Sequence, residues 1–300
     1  MTGLMGHPLA IQELRTEADA MSAARQQPAW LLPARQDPSR HDGERRRTIL
    51  TRTVELDVIP RLLLAHRPSV VPSAAAGLLV TAGHVADLVG LVLSRSEPEA
   101  VAFVAAMHGQ GAAAESLYLD LLAPAARRLG KMWEDDTCDF TDVTVGLWRL
   151  QNAMRELSPC FLRAAEASTH GARVLLVPLP GEDHTFGLSM VHEFFRRAGW
   201  NAWCGPVESS ADLRGLVRRE WVEVIGFSLA CDEKLDAVRA EIRSVRRASM
   251  NPGLAVLVGG PGFTANPRLA SEVGADGTAS DGRQAVLQAQ ALVELAAQRR

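Results

Sequence analysis

The 300-residue chain is poor in cysteine, has almost no net charge and contains no long apolar run free of polar residues, and each lack closes a class of function. Its four cysteines, Cys138, Cys160, Cys204 and Cys231, are widely spaced and form no CxxC pair, so neither a disulfide frame nor a zinc site is expected. Lysine and arginine number 32 against 35 acidic residues, a formal charge of −3, which gives no electrostatic drive toward nucleic acid. The opening stretch, MTGLMGHPLAIQELRTE, has no basic segment followed by a long apolar one, so no secretory signal is expected. The most apolar window, Ala74 to Leu93, is about as long as a membrane span but carries His84 and Asp87. Polar groups are costly in hydrocarbon, so this window is expected to be a buried bundle helix, the location cytoplasmic, and no membrane partner is implied.

Three regions differ in texture. Residues 1–43 are rich in Arg, Gln, Pro and Asp without sustained periodicity and read as a flexible arm, with Trp30, Leu31 and Leu32 a candidate docking element. Residues 44–168 repeat apolar positions at three and four spacing through Ile49–Leu64, Ala74–Ser94, Glu97–Met107, Ala113–Met132 and Val143–Ala164, which predicts a bundle of four or five helices. Residues 169–300 alternate short apolar runs with amphipathic segments. RVLLVPLP is followed by a helix over Phe186–Ala198. NAWCG, VEVIGFSL and LAVLVGG each precede a further helix, and a last strand near Gly277-Thr278 leads to a helix over Gln284–Ala297. Such alternation implies a parallel sheet with helices on both faces. The expected fold class is α + α/β: an N-terminal helical bundle followed by a Rossmann-like (flavodoxin-like) parallel-sheet domain.

Sheets of this kind bind ligands beyond the carboxyl ends of their strands. The loops there hold Gly181-Glu182-Asp183-His184-Thr185-Phe186-Gly187, then Ser228-Leu229-Ala230, then Gly259-Gly260-Pro261-Gly262. The first loop is not GxGxxG, so the dinucleotide fingerprint is missing where it should stand. It offers instead an imidazole preceded by two carboxylates. Between Gly187 and Ser228 lie 40 residues, and between Ala230 and Gly259 lie 28. In order and spacing these elements resemble the cobalamin-binding domain, whose signature runs DxHxxG, SxL, GG.

That resemblance implies a base-off cobalamin whose cobalt is held from below by His184, the metal ligand. Imidazole nitrogen is a good donor to cobalt, and its second nitrogen needs an acceptor. Glu182 stands at the family's Asp position, so either Glu182 or Asp183 fills that role. Gly181, Thr185 and Gly187 complete the loop. The resemblance further implies that Ser228 offers a hydroxyl to the buried base, that Leu229 forms a wall beside Ala230, and that Gly259 and Gly260 make room for the cofactor's tail. Haem on the same fold is the alternative, since His184 suits iron equally well.

The bundle carries Leu129-Gly130-Lys131-Met132-Trp133-Glu134-Asp135-Asp136 and then Cys138-Asp139-Phe140-Thr141-Asp142. Cobalamin photoreceptor regulators have a Trp, nine residues and then Glu-His here; counting from Trp133 reaches Val143 and Thr144, so their upper-face histidine is absent. The stretch WEDDTCDFTDVTVGLWRLQNAMRELSP resembles instead the PpaA/AerR antirepressors of phototrophic proteobacteria, over roughly residues 45–295. This implies a light- or redox-responsive regulator rather than an enzyme. Its partner would be a transcription repressor of photosynthesis genes, with no direct DNA contact, in keeping with the lack of a helix-turn-helix beside a basic patch. Trp133 is expected either against the corrin's upper face or in the bundle core. His108 is expected as a polar position near a helix end, an upper ligand being the outside alternative, and Arg149, Arg155 and Glu156 as a solvated face. The rival reading is a corrinoid carrier serving methyltransferases.

Overall fold

A computed structural model describes residues 77–94, 97–163, 171–179, 185–229 and 234–298. The expected arm over 1–43, the segment Ile49–Leu64 and Cys231 lie outside them.

The first half of the described chain is helical. Helix α1 spans Ala82–Leu93 and opens on a reciprocal cap, in which the His84 amide donates to Thr81 Oγ1 while the Thr81 amide donates to His84 Nδ1. Helix α2 spans Glu97–Gly109 and starts with Glu97 and Glu99, which suit the positive end of its dipole. A short α3, Ala114–Ser116, runs through a π-helical segment, Leu117–Leu122, into α4, Ala123–Glu134. Helix α5, Phe140–Arg163, leads toward the sheet. Two expectations change here. Within the window 74–93 the described residues 77–81 are not helical and the helix begins at Ala82, and no helix among the described residues is long and apolar enough to cross a membrane. Arg149 is no surface residue: it is buried and donates to the Val92 carbonyl in the last turn of α1, where a cation meets the negative end of the dipole. Arg155 and Glu156 are exposed as expected.

The second half is a five-stranded parallel sheet: β1 Arg173–Pro178, β2 Asn201–Cys204, β3 Val224–Ser228, β4 Ala255–Gly259 and β5 Gly277–Thr278. Between them run α6 Phe186–Arg197, α7 Ser210–Arg219, α8 Leu235–Ala248, α9 Pro261–Ala265 and α10 Arg268–Val273, with α11 Gly282–Gln298 last. The spatial order is β2-β1-β3-β4-β5, so the winding reverses between β1 and β3. This is the flavodoxin-like order, and it places a ligand crevice at the carboxyl ends of those two strands. The runs RVLLVP, VIGFS and AVLVG are apolar almost throughout because both faces are covered.

The two faces carry different loads. Leu175, Val177, Ile225, Phe227, Val256 and Val258 pack under α7 and α8. On the other face Val174, Leu176, Val224 and Leu257 join α6 and α11 in a core that continues into the helices of the first half. The seam is aromatic. Tyr118 stacks on Phe161 at 4.2 Å between centroids, and Phe194 of α6 meets Phe161 edge-on at 4.9 Å. Around it, Arg197 lies over the Phe161 ring at 4.5 Å and donates to Glu115, which also accepts from Arg283 of α11. Ser158 of α5 donates to the buried Glu193 of α6.

Phe161→Ala is expected to cost about 3–5 kcal/mol, the usual loss for a buried aromatic. Because the core is shared, urea unfolding followed by tryptophan fluorescence and by far-UV dichroism should shift together. Two groups also make stability depend on alkali. Burial pushes the Cys204 thiol up to about 11, and burial, with Glu193 beside it, raises the Tyr118 hydroxyl. The folded state therefore keeps protons that the unfolded chain releases above the ordinary thiol pKa of about 8.5. Stability should be flat below that point and fall between about pH 9 and 11, and Cys204→Ala should flatten part of the fall in urea midpoints.

Candidate functional site

The sheet register assembles the rim. Pro178 pairs with Ser228, and Ser228 with Gly259, so three strand ends stand in one row. Residues 180–184 follow the β1 end of that row in sequence. Gly181, Glu182, Asp183 and His184 lie outside the described residues, as does Ala230. Thr185 comes next and is described: it stands before α6 without capping it through its side chain, and its carbonyl accepts from the Ser189 amide and hydroxyl. The amides of the first turn of α6 thus begin at the rim unsatisfied by that side chain.

The third loop crosses close to the second. The Leu229 amide donates to the Gly259 carbonyl at 3.0 Å, and a Cβ at Gly260 would lie 1.9 Å from the Leu229 carbonyl oxygen. Gly260 has φ +120°, which an L side chain rarely adopts, so glycine is required here twice over. The Leu229 side chain is buried in the core under α7 and α8, leaving its backbone at the rim.

Other glycines mark space. Nothing lies within 4 Å of where a Gly187 Cβ would be, and at Gly259 the nearest atom is the Ala279 carbonyl oxygen, 3.9 Å away. Ser228 is partly exposed between them. Sequence reasoning passed over Thr278 at the carboxyl end of β5, beside Val258. Its hydroxyl is buried without a hydrogen-bond partner, which costs free energy unless a ligand supplies one. The only signal for it was its place at the end of a short strand. Close by, Asp281 caps α11 by accepting from the Gln284 amide at 2.9 Å. Open room at two glycines and an orphaned hydroxyl on one rim fit an elongated, polar cofactor tail entering beside the sheet.

Trp133 is not a core residue. It lies in the last turn of α4 at 48% exposure, and Phe140 and Trp148 are likewise exposed. His108 is a polar position at the end of its helix, as expected, with Nδ1 lying 3.0 Å from the Ala112 carbonyl oxygen. Among the described residues no cluster of three His, Cys, Asp or Glu could hold a metal ion.

Residues 172–288 match the B12 binding domain. Cobalamin is the cofactor that this segment and its rim accommodate, and the haem alternative gains nothing from the match. A corrinoid protein for monomethylamine from Methanosarcina barkeri shares the fold at a TM-score of 0.59 and 14% identity, over 71% of this chain and 98% of that one. The chain is also 24% identical, over 56% of its length and 86% of the relative's, to an uncharacterised 20.5 kDa protein from the bchF–crtJ intergenic region of Rhodobacter capsulatus.

Thr278→Val removes an unsatisfied buried hydroxyl. It should raise the stability of the cobalamin-free protein by about 1 kcal/mol in urea titrations and weaken cobalamin uptake measured by absorbance. Unchanged uptake would mean that the hydroxyl faces away from the cofactor.

Proposed function

We propose that the chain is a cobalamin-dependent, light- or redox-responsive regulator of the PpaA/AerR antirepressor type, acting on a repressor of photosynthesis genes rather than catalysing a reaction. The observation that carries this is the seam: α6 starts at the rim and ends clamped to the helical half by Phe194, Arg197 and Glu193. A carrier that must offer its cobalt to two enzymes gains little from such a clamp. A sensor needs one, because a ligand shifts an equilibrium only through contacts that differ between states. The relative from the bchF–crtJ region supports the choice of target.

In this reading His184 would hold the cobalt in place of the cofactor's own base, and Glu182 or Asp183 would accept the second imidazole N–H, fixing tautomer and basicity. Gly181 and Thr185 would shape the loop, Ser228, Gly259 and Gly260 would receive the tail, and exposed Trp133 would lie against the corrin. When bound, cobalamin would supply a cobalt–ligand bond that light or a change of redox state alters. The protein's part is to turn that alteration into a shift of α6 and, through the seam, of the helices on it.

His184→Ala is expected to abolish the spectrum of histidine-ligated cobalamin and to lower affinity at least about tenfold, read by absorbance of protein titrated with methylcobalamin in darkness. Illumination of the loaded wild type should change its small-angle scattering profile and its binding to the repressor. Wild-type uptake and spectrum in His184→Ala, or scattering and repressor binding indifferent to light and to reductant, would overturn the reading.

A further inference from the structure

Outside the rim, the surface between α7 and α8 forms a groove of about 540 Å³ lined by Arg214, Arg218, Arg243 and Arg247 with Ser244 between them. Both helices pack side by side on one face of the sheet, so two arginine pairs at i, i+4 spacing face one another across it. Six arginines elsewhere meet carboxylates: Arg173 with Glu220, Arg196 with Glu193, Arg197 and Arg283 with Glu115, Arg239 with Asp236, Arg246 with Asp276. None of the four in the groove does, and here the unpaired cations are gathered in one place. Arg218, Arg243 and Arg247 have no ion pair or side-chain hydrogen bond among the described residues, and Arg214 reaches only Ser244 Oγ, at 3.5 Å. The helix dipoles account for Arg218 and Arg247, which sit in last turns, but not for Arg214 and Arg243 farther back.

Four guanidinium groups held together with no carboxylate paired to them repel one another, the buried Glu241 between the same helices accepting from Ser210 instead, and carboxylates relieve that repulsion by paired hydrogen bonds. The surface past the carboxyl ends of the two helices decides between a carboxylate-bearing protein and a nucleic acid. There, beyond the groove's own lining, the Met250 amide donates to the Val217 carbonyl, which lays the chain after α8 against the last turn of α7, and Trp221 and Met250 are exposed at 37% and 49%. Aromatic and methionine side chains beside arginine are the composition of protein interfaces. A chain of net charge −3 is also poorly suited to a long polyanion.

We propose that the α7–α8 groove docks an acidic helical segment of a partner protein, carboxylates at i, i+4 meeting the two arginine pairs and an apolar residue meeting Trp221 and Met250. The groove lies on the face of the sheet opposite the shared core, so this inference stands apart from the reading of His184, whose failure would leave it intact.

The test uses full-length protein, with and without cobalamin. The probe is a fluorescein-labelled helical peptide of about 20 residues with glutamate at i, i+4 and leucine at one end, followed by anisotropy. Expected are saturable binding that weakens with salt, a loss of at least about tenfold in Arg214→Gln/Arg218→Gln/Arg243→Gln/Arg247→Gln, and a smaller loss in Met250→Ser. Arg127→Gln/Arg128→Gln, which removes charge on α4, should bind as wild type. Circular dichroism of each variant checks that it folds, and Arg243→Gln/Arg247→Gln alone serves if the fourfold variant does not. Equal binding by the groove and α4 variants overturns the proposal, as does absence of binding. So does tighter, groove-dependent binding of a duplex DNA of about 20 base pairs, or groove-dependent self-association in light scattering.

Discussion

The register of the parallel sheet is the constraint on which the rest depends. With both faces buried, a slip by one residue would turn Leu175, Val177 and Ile225 out of one core and push Val174, Leu176 and Val224 out of the other. That penalty locks Pro178, Ser228 and Gly259 into one row, so three strand ends from distant parts of the sequence stand side by side.

The second organising feature is the seam between the helical half and the sheet. Its ion pairs are partly exposed, and pairs of that kind contribute about 0–1 kcal/mol each. The aromatic cluster of Tyr118, Phe161 and Phe194 is fully or almost fully buried and contributes several times as much. Packing therefore holds the halves together, while Glu115 joins α6 and α11 to the helical half through Arg197 and Arg283.

Much of the fold was legible in the sequence. Strands β1, β3 and β4 stood out as apolar runs, and the Gly187, Ser228 and Gly259 spacing gave the rim before any geometry. Besides Thr278, three features escaped, each for a physical reason. The stretch 113–132 read as one regular helix, yet the turn widens to a π-helix at Leu117–Leu122 just before Pro124, whose ring would otherwise press on the carbonyl four residues back. Arg149 looked like a surface cation because charge alone does not reveal an orphaned carbonyl in a neighbouring helix. The expected lack of a basic patch came from averaging charge along the chain. Arg214 and Arg218 stand well apart in sequence from Arg243 and Arg247, and only the sheet lays their helices edge to edge.

The two faces of the sheet are unequal, since one carries the extra helices and the other only α7 to α10. In the regulator proposed above, a disturbance entering after β1 would pass along α6 into the loaded side and leave the lighter side, built on the same strands, in place. The molecule would then divide into a lever and an anchorage, and whatever grips the anchorage would keep its hold while the lever moves.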